Sequence, residues 1–374
     1  MDEPDILMDM NESQTNLPLD KMLIRMAELD ASDLYLKPGS PPTYRLNGVN
    51  TTFDDKVLFP EDTEALITPA MCARDQRILA ERHGANLARS VQGVGRFRMN
   101  VYRQRGSVAL VARRIKTEIP SLDNLQLPDI LKEMVMQRNG LVFVTGATGC
   151  GKSTTLAAMI DFRNATVPGH IVTIEDPIEF LHPDKKSIVS QRELGVDCPS
   201  MEDAMKDALR QAPDVILVGE IRDAAIMEQA IAFAETGHLV LGTLHSTNAN
   251  QTMERIINFF PQDHHQQTLM QLSLTLRAIV SQRLVNRADG NGRIAAVEVL
   301  TATQRVRDQI KKGEIDALKS TMRVNQEEGM QTFDMSLFDL QDAGLITKET
   351  AIANADSPAD LRMQIRGFTA MSIT

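Results

Sequence analysis

The chain is poor in cysteine. Cys72, Cys150 and Cys198 are the only three in 374 residues, and no two of them form a Cys-x-x-Cys pair. That excludes a disulfide framework and offers no zinc-ligand spacing. Long apolar runs are missing as well. No uninterrupted stretch is long enough for a transmembrane helix, so direct membrane insertion is not expected. The N-terminus is acidic and lacks a basic–apolar leader, which points to a cytoplasmic protein. Positive charge is in deficit: 40 Lys and Arg stand against 50 Asp and Glu, for a net charge of -10. That balance argues against nucleic acid as the main partner. What remains is ordinary for a globular chain, with 43% hydrophobic and 24% charged residues. The length suffices for two or three domains. The 20 Met exceed the usual share and read as core filler or an adaptable interface.

One stretch organises the rest. Leu141–Val144 is a short apolar run that reads as a buried strand. Gly146-x-x-x-x-Gly151-Lys152-Ser153 follows, and Thr154–Phe162 then carries apolar residues at helical spacing. Strand, glycine loop and helix in that order are the context of a phosphate-binding loop. Backbone N–H groups from Gly146, Ala147, Thr148, Gly149, Cys150, Gly151 and Thr154 would curl around phosphate oxygens at a helix N-terminus. Lys152 would reach the β- and γ-phosphates of ATP, and the Ser153 hydroxyl would ligate Mg²⁺.

The chain before the loop predicts a small α+β domain over 17–118, after a polar, disordered tail over 1–16. Its expected elements are a helix over Leu19–Leu29, strands over Asp33–Lys37 and Tyr44–Leu46, a turn at Asn47-Gly48, and helix over Pro60–His83 broken near Pro69. The stretch 119–127 reads as a linker, and 128–374 as an α/β core whose last part, from about 301, is helical. Within that core the pattern predicts strands Ile171–Ile174, Val215–Val218, Leu239–Thr243 and Arg293–Leu300, and a long helix over Gln262–Val280.

Between Arg82 and Thr117 stand nine basic residues and no carboxylate: Arg82, Arg89, Arg96, Arg98, Arg103, Arg105, Arg113, Arg114 and Lys116. Gly95–Tyr102 alternates, with Phe97, Met99 and Val101 on one face and Arg96, Arg98 and Asn100 on the other. A solvated hairpin face accounts for such arginines, and so does contact with a polyanion. With a phosphate loop in the next domain, nucleotide is the economical polyanion.

Hydrolysis of a bound nucleotide needs an activated water and charge stabilisation at the γ-phosphate. Strand Ile171–Ile174 ends in Glu175-Asp-Pro-Ile-Glu179, and Val215–Val218 is followed by Gly219-Glu220. Carboxylates at the C-terminal ends of such strands sit where ligands bind in an open α/β sheet. Glu175, Glu179 and Glu220 are therefore candidates to polarise water or hold metal-bound water. His245, at the same end of the sheet, could hydrogen-bond the γ-phosphate.

Together these elements resemble the secretion-type ATPases, and within them the type IV pilus retraction ATPases of the PilT/PilU group. The resemblance rests on Gly146–Thr155, the acidic box Ile174–Glu179, the Walker B segment Asp214–Asp223 and the histidine box Thr236–Ser246. Arg96-Phe-Arg-Met-Asn100 is similar to the family's N-terminal arginine segment. The resemblance implies a PAS-like N-terminal domain, a RecA-like P-loop ATPase core and a homo-hexameric ring. Arginines, with Arg96, Arg98 and Arg113 as candidates, would enter a site from a neighbouring subunit. It further implies a ring peripheral to the inner membrane, docked on the pilus platform protein and driving retraction and twitching motility. Two departures stand out. Cys150 occupies a position where the family often has Ser, and Arg305–Ile310 fits the main motor's retraction motif loosely. With Lys311-Lys-Gly-Glu314 following, the chain looks closer to the PilU branch, which implies the main retraction ATPase of the same system as a further partner. The alternatives are a pilus-extension or type II secretion assembly ATPase, a low-turnover accessory ring subunit, and a helicase on the same core. The first usually carries the tetracysteine insertion that is missing here. The acidic balance weighs against the last.

Overall fold

The expected alternation over 95–102 is present in the folded chain. Phe97, Met99 and Val101 are fully buried, while Arg96 and Arg98 are half-exposed on the opposite face. The structure is a computed structural model, and it describes residues 17–46, 48–115 and 118–371, with only the backbone of the last four. The tail over 1–16, Asn47 of the expected turn and Lys116 lie outside the described residues. Backbone contacts divide the chain into two units, Met1–Thr117 and Glu118–Thr374.

The first unit runs α1 (Pro18–Glu28), β1 (Asp33–Leu36), β2 (Thr43–Leu46), β3 (Val49–Thr52), α2 (Pro60–Ile67), α3 (Ala73–Arg82), β4 (Gly84–Val91), β5 (Gly95–Gln104) and β6 (Ser107–Arg114). The strands form one antiparallel sheet in the order β3-β2-β1-β6-β5-β4. Leu19, Leu23 and Met26, one stripe of α1, pack into its core. β5 and β6 are joined through Arg105 and Gly106, both at positive φ, as the right-handed twist of a two-residue hairpin demands. β4 carries no sharp strand signal in the sequence and is held by pairing with β5.

The basic island is partly neutralised in space. Arg89 pairs with Asp20 of α1, Arg114 with Asp30 at 3.3 Å, and Arg113 with the buried Asp33 of β1 at 2.8 Å. These partners lie far away in sequence, so a local charge count misses them. Among the described residues no carboxylate pairs with Arg96 or Arg98.

The second unit centres on a seven-stranded sheet. Its strands are β7 (Gly140–Thr145), β8 (Gly169–Glu175), β9 (Ser187–Glu193), β10 (Val215–Val218), β11 (Leu239–Leu244), β12 (Leu276–Asn286) and β13 (Arg293–Thr301). The order is β13-β12-β7-β11-β10-β8-β9, parallel except for the antiparallel β12–β13 pair. The helices are α4 (Ile130–Val135), α5 (Lys152–Thr166), α6 (Met201–Ala208), α7 (Ala224–Glu235), α8 (Ala249–Asn258) and α9 (His265–Thr275). A helical C-terminal layer follows: α10 (Gln304–Lys312), α11 (Leu318–Val324), α12 (Phe333–Asp342), α13 (Lys348–Asn354) and α14 (Pro358–Met371). Separate apolar clusters fill the two faces of the sheet, one around Phe143 and Ile216, the other around Val142 and Leu217. The alternation of β7 and β10 divides their side chains between those clusters, as expected of strands covered on both sides.

One expected element is overturned. The long helix over Gln262–Val280 ends at Thr275, and the chain continues as β12 beside the phosphate-loop strand. Leu276, Ala278, Ile279 and Val280 are fully buried between β7 and β13. An apolar run with no polar face looks alike in a buried helix and a central strand, and pairing with β7 decided for strand. The stretch 119–127 is packed into the second unit, where Leu122 and Leu127 join the cluster around Leu131.

Candidate active site

The chain leaves β7 at Thr145 and turns through Gly146 to Gly151 into α5. Two glycines are required by geometry. A side chain on Gly146, at φ +144°, would meet Cys150 Sγ and the Gln282 carbonyl at 2.5 Å. One on Gly151, at φ +95°, would meet Gln282 Nε2 at 2.8 Å. Gln282, from β12, also accepts a bond from the Thr155 hydroxyl at 2.8 Å and so braces the back of the loop. Lys152 donates from Nζ to the carbonyls of Gly146 at 2.8 Å and Ala147 at 3.0 Å, so the ammonium is held over the loop. Burial pushes the Cys150 thiol above its usual range.

A cavity of about 500 Å³ opens above this loop. Lys152, Ser153, Glu175, Glu179, Glu220 and His245 all line it. Glu175 ends β8, and Glu179, Glu220 and His245 come from the segments after β8, β10 and β11, the C-terminal edge of the sheet. The ends of β8 and β10 approach closely. Gly219 N–H donates to the Ile174 carbonyl at 2.8 Å, and a side chain on Gly219 would meet Glu175 Cα at 3.1 Å.

The two central carboxylates have opposite environments. Glu175 Oε1 accepts from the Thr173 hydroxyl at 2.7 Å and from Gln191 Nε2 at 3.2 Å. Burial outweighs these bonds and, with Glu179 nearby, pushes the carboxyl up to about 7. Burial also acts to raise Glu220, but Arg222, His245 and Lys152 overcome it and hold that carboxyl below its usual range. Arg222 Nη2 lies 2.8 Å from Glu220 Oε2 and 3.5 Å from Asp176, and His245 Nε2 lies 3.2 Å from Glu220 Oε1. Carboxylates driven apart in this way suit different tasks, one exchanging a proton near neutral pH, the other staying ionised.

The sequence-predicted loop residues, the three glutamates and His245 are thus brought together in one cavity. Arg96, Arg98 and Arg113 belong to the first unit and are not part of this arrangement. Three contributors carried no sequence signal. Gln282 lies just beyond the expected helix, on a part of β12 where no strand was expected. Gln191 lies on β9, an edge strand not expected at all. His182, which also lines the cavity, is buried with Nδ1 unpartnered, and burial lowers its imidazole to about 4. Asp214, by contrast, stands at the opposite end of the sheet, where it accepts the His170 backbone N–H at 2.8 Å. The phosphate-loop backbone, Lys152 and the Ser153 hydroxyl fit a nucleotide with a divalent cation on the hydroxyl.

Comparison with known proteins agrees with this geometry. The family model for type II/IV secretion system proteins matches residues 96–352. The type IV pilus ATPase PilU of Pseudomonas aeruginosa is 50% identical over 350 residues, 94% of this chain and 92% of that protein. The retraction ATPase PilT of the same organism is 38% identical, over 91% of this chain and 99% of its own length. Among solved structures, the pilus retraction motor PilT with bound ADP superposes with a TM-score of 0.86 at 42% identity, covering 93% of this chain and 99% of that one. The α/β fold with its small antiparallel N-terminal unit is therefore the fold of those ATPases. The chain belongs to the type II/IV secretion system protein family, in its PilT/PilU group of pilus ATPases.

Proposed function

We propose that this chain is the subunit of a hexameric ring that hydrolyses ATP to drive type IV pilus retraction. The observation that carries the reading is the single cavity that gathers the phosphate loop, two carboxylates of opposite proton affinity and His245. The loop N–H groups and Lys152 bind and orient the phosphates. The Ser153 hydroxyl would hold Mg²⁺, which when bound would neutralise phosphate charge. Glu175 takes the proton of the attacking water, and its high proton affinity suits that task near neutral pH. Glu220 stays ionised and orients water and His245, with Glu179 as a further acceptor. Arg96 and Arg98, without carboxylate partners among the described residues, are the arginines best suited to complete a neighbour's site, and Arg113 pairs with Asp33.

The units over 17–118 and 128–374 act in this reading as an arginine-bearing module and a motor module. The ring works at the cytoplasmic side of the inner membrane, on the pilus platform protein. Among the described residues no helix is long and apolar enough to cross a membrane. The higher identity to PilU than to PilT favours a second reading, an accessory motor acting beside a main retraction ATPase. Cells that carry this protein as their sole candidate retraction ATPase test the choice. Pilus retraction abolished by Lys152→Ala supports the primary-motor reading. Retraction only when the main ATPase is restored supports the accessory one. Loss of neither retraction nor ATP turnover in Lys152→Ala refutes both.

A further inference from the structure

Gln191 lies on β9, directly opposite Thr173 of β8. In a parallel pair, Thr173, Glu175 and Gln191 point to one face. All three of the Gln191 amide's bonds are to the stretch 175–182, the acidic box and the residues that follow it. Its Nε2 donates to Glu175 Oε1 at 3.2 Å and to the Phe180 carbonyl at 2.9 Å. Its Oε1 accepts the His182 backbone N–H at 2.8 Å. Reversing the amide would set oxygen against two oxygens and NH₂ against an N–H, so the network fixes its orientation. One side chain thereby ties the start of the segment, at Glu175, to its end, at Phe180 and His182. Thr173 supplies the second bond to the same carboxylate oxygen, at 2.7 Å. Oε1 takes both of these side-chain bonds, and the backbone N–H of Glu179 bonds the same carboxylate, so the group is held by donors from both strands and from its own segment. We propose that Gln191 is a positioning residue for ATP hydrolysis, one that orients the Glu175 carboxylate and closes the acidic-box segment over the nucleotide cavity.

The inference rests on the reading of Glu175 as general base, and its test separates the two. The charged groups around Glu175 are Asp176 and Glu179 on its own segment, Glu220 and Arg222 after β10, Lys152 at the start of α5, His245 after β11 and Glu193 opposite it on β9. Gln191 and Thr173 are neutral side-chain donors among them, and a donor to a carboxylate favours its ionised form. Gln191→Met keeps length and volume but removes the donor. Gln191→Glu replaces the donor with a like charge. The full-length proteins would be assayed for ATP turnover across pH 5.5–9 (about the range that brackets the Glu175 value), for nucleotide affinity and for thermal midpoint.

The expected result is a kcat about tenfold lower in Gln191→Met, one order of the 10²–10⁴ that a general base supplies. KM for ATP should stay within about twofold, because the phosphate loop is untouched. The acid limb of the kcat profile should move to higher pH in Gln191→Met and further in Gln191→Glu. In a Glu175→Gln background the Gln191→Met change should have no further effect, because its target is gone. An unmoved acid limb in both variants, or an undiminished tenfold loss in the Glu175→Gln background, overturns the proposal. If Gln191→Met does not fold, the Gln191→Glu profile decides alone, by the same criterion. Wild-type turnover in Glu175→Gln by itself would instead sink the reading of Glu175 as base.

Discussion

Replacing the buried Glu298 by glutamine should make the second unit more stable at neutral pH, with a gain that grows with pH. Glu298 sits in the middle of β13, 1% exposed, and its Oε1 accepts the Ala249 N–H at 2.8 Å, at the first turn of α8. Burial, against the pull of that bond, pushes its carboxyl from 4.5 up to about 7; Asp356 adds to the rise, and Lys319 and Arg283 oppose it. The sign follows from linkage. Below pH 4.5 the group is protonated folded and unfolded, and it contributes nothing. Between 4.5 and about 7 the unfolded chain gives up the proton while the folded chain keeps it, so stability falls as pH rises. Above about 7 the whole difference is in force. At 1.36 kcal/mol per pH unit, the rise from 4.5 to about 7 corresponds to about 3 kcal/mol. Glutamine keeps the acceptor for Ala249 and never ionises. The unfolding midpoint at pH 8 should therefore rise by roughly 6–12 °C, at roughly 2–4 °C per kcal/mol for a unit of this size. At pH 4.5 wild type and variant should nearly coincide. The assay is thermal unfolding followed by circular dichroism at half-unit pH steps. A difference that does not change between pH 4.5 and 8, or a variant less stable at pH 8, would refute the reasoning.

Four further outcomes are expected from the same structure. Lys152→Ala should fold and lose ATP turnover; its two carbonyl contacts are minor beside its place at the phosphates, and wild-type turnover would sink the assignment. Turnover of the wild type should fall as pH drops through about 7, because Glu175 becomes protonated, and a rate that is flat from pH 5.5 to 8 would remove Glu175 from the role of base. Gly219→Ala places a methyl 3.1 Å from Glu175 Cα and the Ile174 carbonyl, which should cost about 1–3 kcal/mol of stability and, by displacing Glu175, on the order of 10² in kcat; an unchanged kcat contradicts the close approach. In mixed rings, Lys152→Ala subunits combined with Arg96→Ala/Arg98→Ala subunits should recover activity that neither shows alone, since an arginine in trans can be worth about 10³–10⁵ in rate. Ring formation would be checked by mass in the same mixture, and full activity of the double arginine variant would end the idea.

Much of this protein was set by local sequence. The phosphate loop needs consecutive residues of particular type, so Gly146 to Ser153 could be read directly. Strands β7, β8, β10 and β11 announced themselves as short apolar runs, and the carboxylates after β8 and β10 and His245 after β11 were placed by the direction of the chain. The alternation of Phe97, Met99 and Val101 with Arg96 and Arg98 fixed a sheet face before any partner strand was known. Tertiary structure decided what depends on residues distant in the chain. Leu276–Val280 became strand rather than helix because β7 offered an unpaired edge, and only that pairing put Gln282 behind the phosphate loop. Arg113 lost its freedom to Asp33, eighty residues earlier, a pairing no local charge pattern contains. The proton affinities of Glu175 and Glu220 were likewise invisible in sequence, where both are glutamates at strand ends. Burial raised one against the hydrogen bonds of Thr173 and Gln191, and Arg222, His245 and Lys152 lowered the other, because electrostatic environment is a property of the assembled space around a group and not of its neighbours along the chain.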